Sequence, residues 1–162
     1  MASSDRRTRL AREVGKRSPF DLVEEEAFLT VARTYEHLVS PFQALFRCHG
    51  LSLSLYNALR TIVGEGEDGL PIGEIARRMI FREPDITRLV QKLESAGLVQ
   101  RTRSAEDGRV VLIAPTPQGQ RKIRELSEPV RKELQDLLGH VPPPDLHRLI
   151  DLLEQARGEA PE

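Results

Sequence analysis

Residues 70–115 read LPIGEIARRMIFREPDITRLVQKLESAGLVQRTRSAEDGRVVLIAP, and the spacing of their apolar residues shifts from a helical to an extended period partway along. Between Pro71 and Ile80, Ile72, Ile75, Ala76 and Met79 recur at helical spacing, which predicts a short helix that leaves Arg77 and Arg78 in solvent. Phe81-Arg82-Glu83 reads as a turn, and Pro84 suits the first turn of a second helix, where a missing N–H loses no bond. In that helix Ile86, Leu89, Val90 and Leu93 make a buried stripe, with Asp85, Thr87, Arg88, Gln91 and Lys92 on the opposite side. Gly97 ends it as a C-cap. The period then becomes two. Leu98–Arg103 and Arg109–Ile113 are strand-like, and Ser104–Gly108 forms the turn between them, with Gly108 expected to supply a positive φ.

A helix entered through a tight turn, with hydroxyl, guanidinium and amide groups near its start, carries what the base edges of a DNA major groove require. Thr87 and Arg88 are the leading candidates, and Pro84, Asp85, Gln91 and Lys92 join them on the same helix. Arg82 in the preceding turn and Arg103 on the first strand of the hairpin add cations nearby. Asp107 and Arg109 are two residues apart, so in an extended segment they share a side, and the carboxylate is expected to hold the guanidinium towards a narrow, electronegative minor groove. The competing reading of Asp107-Gly108-Arg109 taken alone is a solvated, charged turn. The two-helix unit before it favours DNA.

The string Asp85-Ile86-Thr87-Arg88-Leu89-Val90, with Leu93-Glu94, Gly97-Leu98-Val99 and Arg101, then Asp107-Gly108-Arg109 and Pro115-Thr116-Pro117-Gln118-Gly119, resembles the multiple antibiotic resistance regulator (MarR) family of winged-helix transcription factors. The resemblance covers roughly residues 24 to 157 in the order and type of elements. It implies a homodimer that binds a pseudo-palindromic operator, usually a repressor released by a small ligand or an oxidant. Cys48 sits at the end of the first long helix rather than near its beginning, where the organic-hydroperoxide branch carries its reactive thiol, so a buried, inert thiol is expected. The urate-responsive branch places a tryptophan in its pocket, and this chain has none.

The expected fold class is mainly α with a small β-wing: a winged helix-turn-helix lobe plus long N- and C-terminal helices that form a dimerisation region. Residues 1–23 are a basic arm containing Arg6, Arg7, Arg9, Arg12, Lys16 and Arg17, which either reaches DNA or is a tail, with a short helix through Leu10 and Val14, that packs on the partner subunit or frays. Residues 24–50 form the first dimerisation helix, with Phe28, Val31, Tyr35, Leu38, Phe42 and Leu45 as its seam and Pro41 expected to kink or break it. Residues 51–115 are the DNA-binding lobe, whose first helix is capped by Ser52 or Ser54 and ends at the acidic, glycine-rich loop 64–69. Residues 116–157 hold the C-terminal dimerisation helices: the first is capped by Thr116 and bent at Pro129, and the second is capped by Asp145 after a stiff Pro142-Pro143-Pro144 connector. Residues 158–162 form the tail.

An effector is expected where the first long helix meets the helix after Ser54, with Tyr35, His37, Tyr56 and Arg60 as candidate pocket residues. Composition bounds the rest. The chain has 162 residues, 39% of them hydrophobic and 30% charged, as in globular proteins with one core, and its formal net charge of −1 means that any attraction to DNA must come from local clustering. No apolar run approaches a membrane span and no signal peptide is evident, so a cytoplasmic protein without membrane association is expected. His37, His49, His140 and His147 include no pair three or four apart, so no metal or cofactor is expected. No catalytic constellation is present either, and the reading is not an enzyme. The alternative is a winged-helix module that binds protein without sequence-specific DNA recognition.

Overall fold

The computed structural model of the chain describes residues 8–104 and 107–158. Arg6 and Arg7 of the arm, Ala105 and Glu106 of the wing turn and residues 159–162 of the tail lie outside the described residues. The chain divides into two units, Met1–Ala44 and Leu45–Glu162.

In the first unit, helix α1 (Arg9–Glu13) starts at Thr8, whose Oγ1 accepts the Ala11 N–H at 3.3 Å. Leu10 and Ala11 are buried, so this part of the arm is anchored within a single chain. Helix α2 (Val23–Cys48) opens with Glu24, Glu25 and Glu26, where the helix dipole favours negative charge. It continues through Pro41, so of the kink or break expected there the break does not occur. A proline removes one intrahelical bond and crowds one carbonyl, and the bonds on either side are enough to carry α2 past it.

The second unit holds the last residues of α2 and the remaining elements. Ser52 caps α3 (Leu53–Glu65), its Oγ accepting the Leu55 N–H at 3.1 Å, so of the two serines considered it is the first that serves. The next element corrects the sequence reading: Leu70–Pro71 is a short strand, β1, and the following helix α4 is confined to Ile72–Arg78. β1 pairs with β3 (Val111–Pro115), which also pairs with β2 (Val99–Arg103), giving a three-stranded antiparallel sheet in the order β1-β3-β2 rather than an isolated hairpin. Gly69 makes that third strand possible. Its φ is +77°, and a Cβ there would lie 2.6 Å from the Ile113 carbonyl oxygen.

Helix α5 (Ile86–Ser95) ends as expected: Gly97 has φ +68°, the Leu98 N–H donates to the Leu93 carbonyl and the Gly97 N–H to that of Glu94, each at 2.9 Å. Thr116 caps α6 (Pro117–Leu138), accepting the Gly119 N–H at 3.1 Å and donating to the Gly97 carbonyl at 2.6 Å. Gly119 lies so close to the Leu98 carbonyl that any Cβ would collide with it. These contacts lock the end of α5 to the start of α6. Helix α7 (Pro143–Arg157) begins earlier than expected, since Pro143 and Pro144 form its first turn and Asp145 lies inside it rather than capping it. Prolines there forfeit no intrahelical bond.

The core of this unit is drawn from every layer: Leu59 and Ile62 of α3, Ile75 of α4, Val90 and Leu93 of α5, Ile113 of β3 and Leu126 of α6 are all at most 1% exposed. Phe46, at the end of α2, is equally buried and stacks on Tyr56 with ring centroids 4.1 Å apart.

Candidate nucleic-acid interface

The orientation of α5 follows from its two faces. Leu89, Val90 and Leu93 point into the core, which forces Thr87, Arg88, Gln91 and Lys92 outward, and all four are exposed. Asp85 does a different job from the one the sequence suggested. Its Oδ1 accepts the Arg88 backbone N–H at 2.9 Å, so it is the N-cap of the helix, and Pro84 precedes the cap instead of occupying the first turn. The carboxylate holds the end of the helix in register and leaves the Arg88 side chain to solvent.

The wing departs from expectation at its tip. Gly108 is not in the positive-φ region, and the turn is closed by the Val110 N–H donating to the Asp107 carbonyl at 2.9 Å and the Ser104 N–H to that of Val110 at 3.0 Å. A turn with ordinary φ values needs no glycine at that position. The Asp107 Oδ1 accepts the backbone N–H of Arg109 at 2.9 Å, so the carboxylate fixes the turn rather than gripping the guanidinium. Arg109 and Arg103 are exposed.

Ion pairing sorts the cations of this lobe into two groups. Arg77 bonds Glu74 at 2.8 Å, Arg78 bonds both Glu65 and Glu74, and Arg101 of β2 bonds Glu94 of α5 at 3.1 Å, tying the wing to the helix. Glu74 is held below the usual carboxylate range, chiefly by its hydrogen bond from Arg77. By contrast Arg82, Arg88, Lys92, Arg103 and Arg109 have no ion-pair partner among the described residues. A chain of net charge −1 can therefore still present local positive charge, because Glu65, Glu74 and Glu94 of this lobe are paired with other arginines. No helix among the described residues is long and apolar enough to cross a membrane.

The residues expected to line an effector pocket are placed unequally. Tyr35 and His37 are exposed on α2 in the first unit, and Tyr56 and Arg60 are on α3 in the second. Tyr56 is half-buried against Phe46, and burial raises its phenol pKa above the usual value, partly offset by the nearby Arg60 charge. Cys48 is exposed, which corrects the expected burial. Sequence reasoning missed His49, Arg121 and Lys122. They line a cleft with Lys92, and no local motif marks them because they come from separate elements.

A short helix-turn-helix followed by a β-hairpin, with a third strand closing the sheet, defines this lobe as a winged helix-turn-helix. Residues 49–110 match the model of the MarR family. A MarR transcription factor from Planctomyces limnophilus is 39% identical, over 84% of this chain and 98% of that one, with a TM-score of 0.64. The regulator YdgJ of Bacillus subtilis is 27% identical over 110 residues, which are 68% of this chain and 66% of its own length. Of the Escherichia coli regulator PapX the chain spans half, with 34% identity over 82 residues. The fold is also that of CouR from Rhodococcus jostii, solved bound to p-coumaroyl-CoA, at 22% identity over 88% of this chain and 99% of that one and a TM-score of 0.74. The chain belongs to the MarR family of transcriptional regulators.

Proposed function

We propose that the protein is a cytoplasmic, homodimeric repressor that binds a pseudo-palindromic operator in double-stranded DNA and is released by a small-molecule effector. One observation carries the DNA reading: Arg82, Arg88, Lys92, Arg103 and Arg109 have no ion-pair partner among the described residues, while Arg77, Arg78 and Arg101 beside them are neutralised by glutamates. Thr87, Arg88 and Gln91 on the first turns of α5 can donate to and accept from base edges, and Arg82, Lys92 and Arg103 can meet phosphates. Arg109, at the end of a turn fixed by Asp107, suits a minor groove.

Dimerisation is supported by the apolar side chains that one chain leaves in water, Phe28 and Val31 on α2 and Leu149, Ile150, Leu152 and Leu153 on α7. A twofold dimer presents two α5 helices, which fit successive major-groove faces when they are about 34 Å apart. An effector that binds one spacing better than another changes DNA affinity by that difference and no more. Release by a ligand is supported by the CouR structure, which holds one, and repression by the 27% identity over 131 residues to the transcriptional repressor IacR of Pseudomonas putida.

Binding to a labelled duplex carrying the promoter region beside the gene tests the reading. With about five phosphates engaged, the logarithm of affinity should fall with the logarithm of salt at a slope of about −4.5. A flat response, unchanged by Arg88→Ala and Arg109→Ala, would support a protein-binding module instead.

A further inference from the structure

Residues 8–23 carry Arg9, Arg12, Lys16 and Arg17 against Glu13 and Asp21, in a chain whose net charge is −1. The fold holds this basic segment at both ends of α1. Thr8 caps the start; at the finish Gly15, with φ +69°, donates its N–H to the Arg12 carbonyl at 3.2 Å and Lys16 donates to that of Ala11 at 2.8 Å, the paired bonds of a Schellman motif. Leu10 and Ala11 are 7% and 1% exposed, so the helix is anchored on its apolar side by its own chain. Arg9, Arg12 and Glu13 are left in solvent. Arg9 is answered by Glu13 at 2.7 Å, whereas Arg12 and Arg17 are exposed without an ion-pair partner among the described residues. Lys16 stands 5.2 Å from the centroid of the Phe20 ring, a contact that leaves its charge uncompensated. Glu24, Glu25 and Glu26 follow at the start of α2, and none of them pairs with an arm cation among the described residues.

A frayed tail would lose conformational entropy on meeting a partner, but a helix capped at both ends and anchored has lost that freedom already on folding. Packing on a second subunit would call for an apolar side, and α1 has turned Leu10 and Ala11 into its own chain. What remains outward is cationic, and its complement is a polyanion. For a MarR-family regulator that polyanion is duplex DNA. We infer that the arm is a second DNA contact of each subunit, in which Arg12, Lys16 and Arg17 neutralise backbone phosphates without reading bases. Such contacts release condensed counterions and carry no sequence information. The arm therefore adds affinity that is uniform across sequences and sensitive to salt, while α5 supplies the choice of site. This rests on the DNA reading above and adds to it a surface outside the winged lobe.

The test compares the full-length protein with Arg12→Gln/Arg17→Gln and Arg12→Lys/Arg17→Lys on a duplex carrying the promoter region beside the gene, by fluorescence anisotropy over a series of salt concentrations. The glutamine variant should bind at least severalfold more weakly at low salt. Its slope of log affinity against log salt should flatten by about 0.9 for each phosphate released, hence by about 1.8 for one on each subunit of a dimer. The lysine variant should keep the slope, since counterion release depends on charge and not on its geometry. The glutamine variant should lose affinity by the same factor on an unrelated duplex of equal length, whereas Arg88→Ala should change the ratio between the two duplexes. Melting temperature and the dimer dissociation constant should stay those of the wild type. Unchanged affinity and slope in the glutamine variant, when the wild type does bind the duplex, overturns the arm contact and leaves the reading of α5 and the wing standing. A weaker dimer with an unchanged slope overturns it too, because the arm would then face the second subunit. Equal loss in the lysine variant, or a loss confined to the promoter duplex, overturns the assignment to phosphates. Wild-type protein that binds no duplex removes the DNA reading and the arm contact together.

Discussion

Helices α5 and α7 are both amphipathic, yet one hides its apolar stripe and the other does not. Leu89, Val90 and Leu93 of α5 are 6%, 0% and 1% exposed, whereas Leu149, Ile150, Leu152 and Leu153 of α7 are 45%, 51%, 53% and 38% exposed, and α7 buries no residue at all. The difference teaches which contacts each helix depends on. Helix α5 is held by its own chain and is free to turn its polar side to a ligand. An α7 stripe left in water at roughly 25 cal/mol per Å² of apolar surface gains stability only from a partner.

The largest expected effect would break this contrast from the α7 side. Leu149→Asp with Leu153→Asp should raise the dimer dissociation constant by about a hundredfold or more, since two apolar anchors are replaced by charges. Sedimentation velocity reads it, and an unchanged assembly would mean that α7 faces solvent in the working protein. On the dimeric reading proposed above, DNA affinity should fall with it, because one subunit of a twofold dimer meets only half of a pseudo-palindromic operator.

Next come the cations on the exposed side of α5 and the wing. Arg88→Ala should cost about 1–3 kcal/mol on the preferred operator and relax selectivity at one or two base pairs. Arg109→Ala should weaken binding evenly across sequences, because a minor-groove arginine senses width more than base identity. Binding to a panel of single-base operator variants separates the two, and a loss confined to one base pair for Arg109→Ala would contradict its assignment.

A smaller effect sharpens the claim that α5 is self-sufficient. Asp85→Ala removes the cap on the Arg88 N–H and should destabilise the fold by about 1 kcal/mol, measured by urea unfolding. Asp85→Asn should retain most of that, and its removal of a negative charge should not reduce DNA affinity. The smallest effect concerns Tyr56. Its folded pKa is raised above the ordinary phenol value of 10.0 by burial, so the stability this contributes is complete below pH 10 and is lost as pH climbs through the folded pKa. Tyr56→Phe should remove that alkaline loss, visible as a flatter dependence of melting temperature on pH above the ordinary phenol value.

Particular residues mark how far the sequence could be read. The α5 stripe, the Gly97 terminus and the Thr116 cap were legible because each is a short-range pattern satisfied within a few residues. The strand at Leu70–Pro71 was not, since two residues have no period and Pro71 reads equally well as a helix start; only pairing with Leu112 and Ile113, over forty positions away, makes it a strand. The roles of Asp85 and Asp107 were misjudged for a related reason. Asp85 was read as facing outward and Asp107 as holding the Arg109 guanidinium, and both instead accept backbone N–H groups two or three residues along.

Local periodicity and capping chemistry in the sequence alone determined the helix-turn-helix, the wing and the outward set of Thr87, Arg88, Gln91 and Lys92, because apolar burial orients a helix whatever lies beyond it. Tertiary structure alone decided which arginines are neutralised and which have no ion-pair partner among the described residues, and that Lys92, Arg121, Lys122 and His49 share one cleft. Charge pairing depends on distance through space, and residues 49 to 125 approach one another only after the chain has folded.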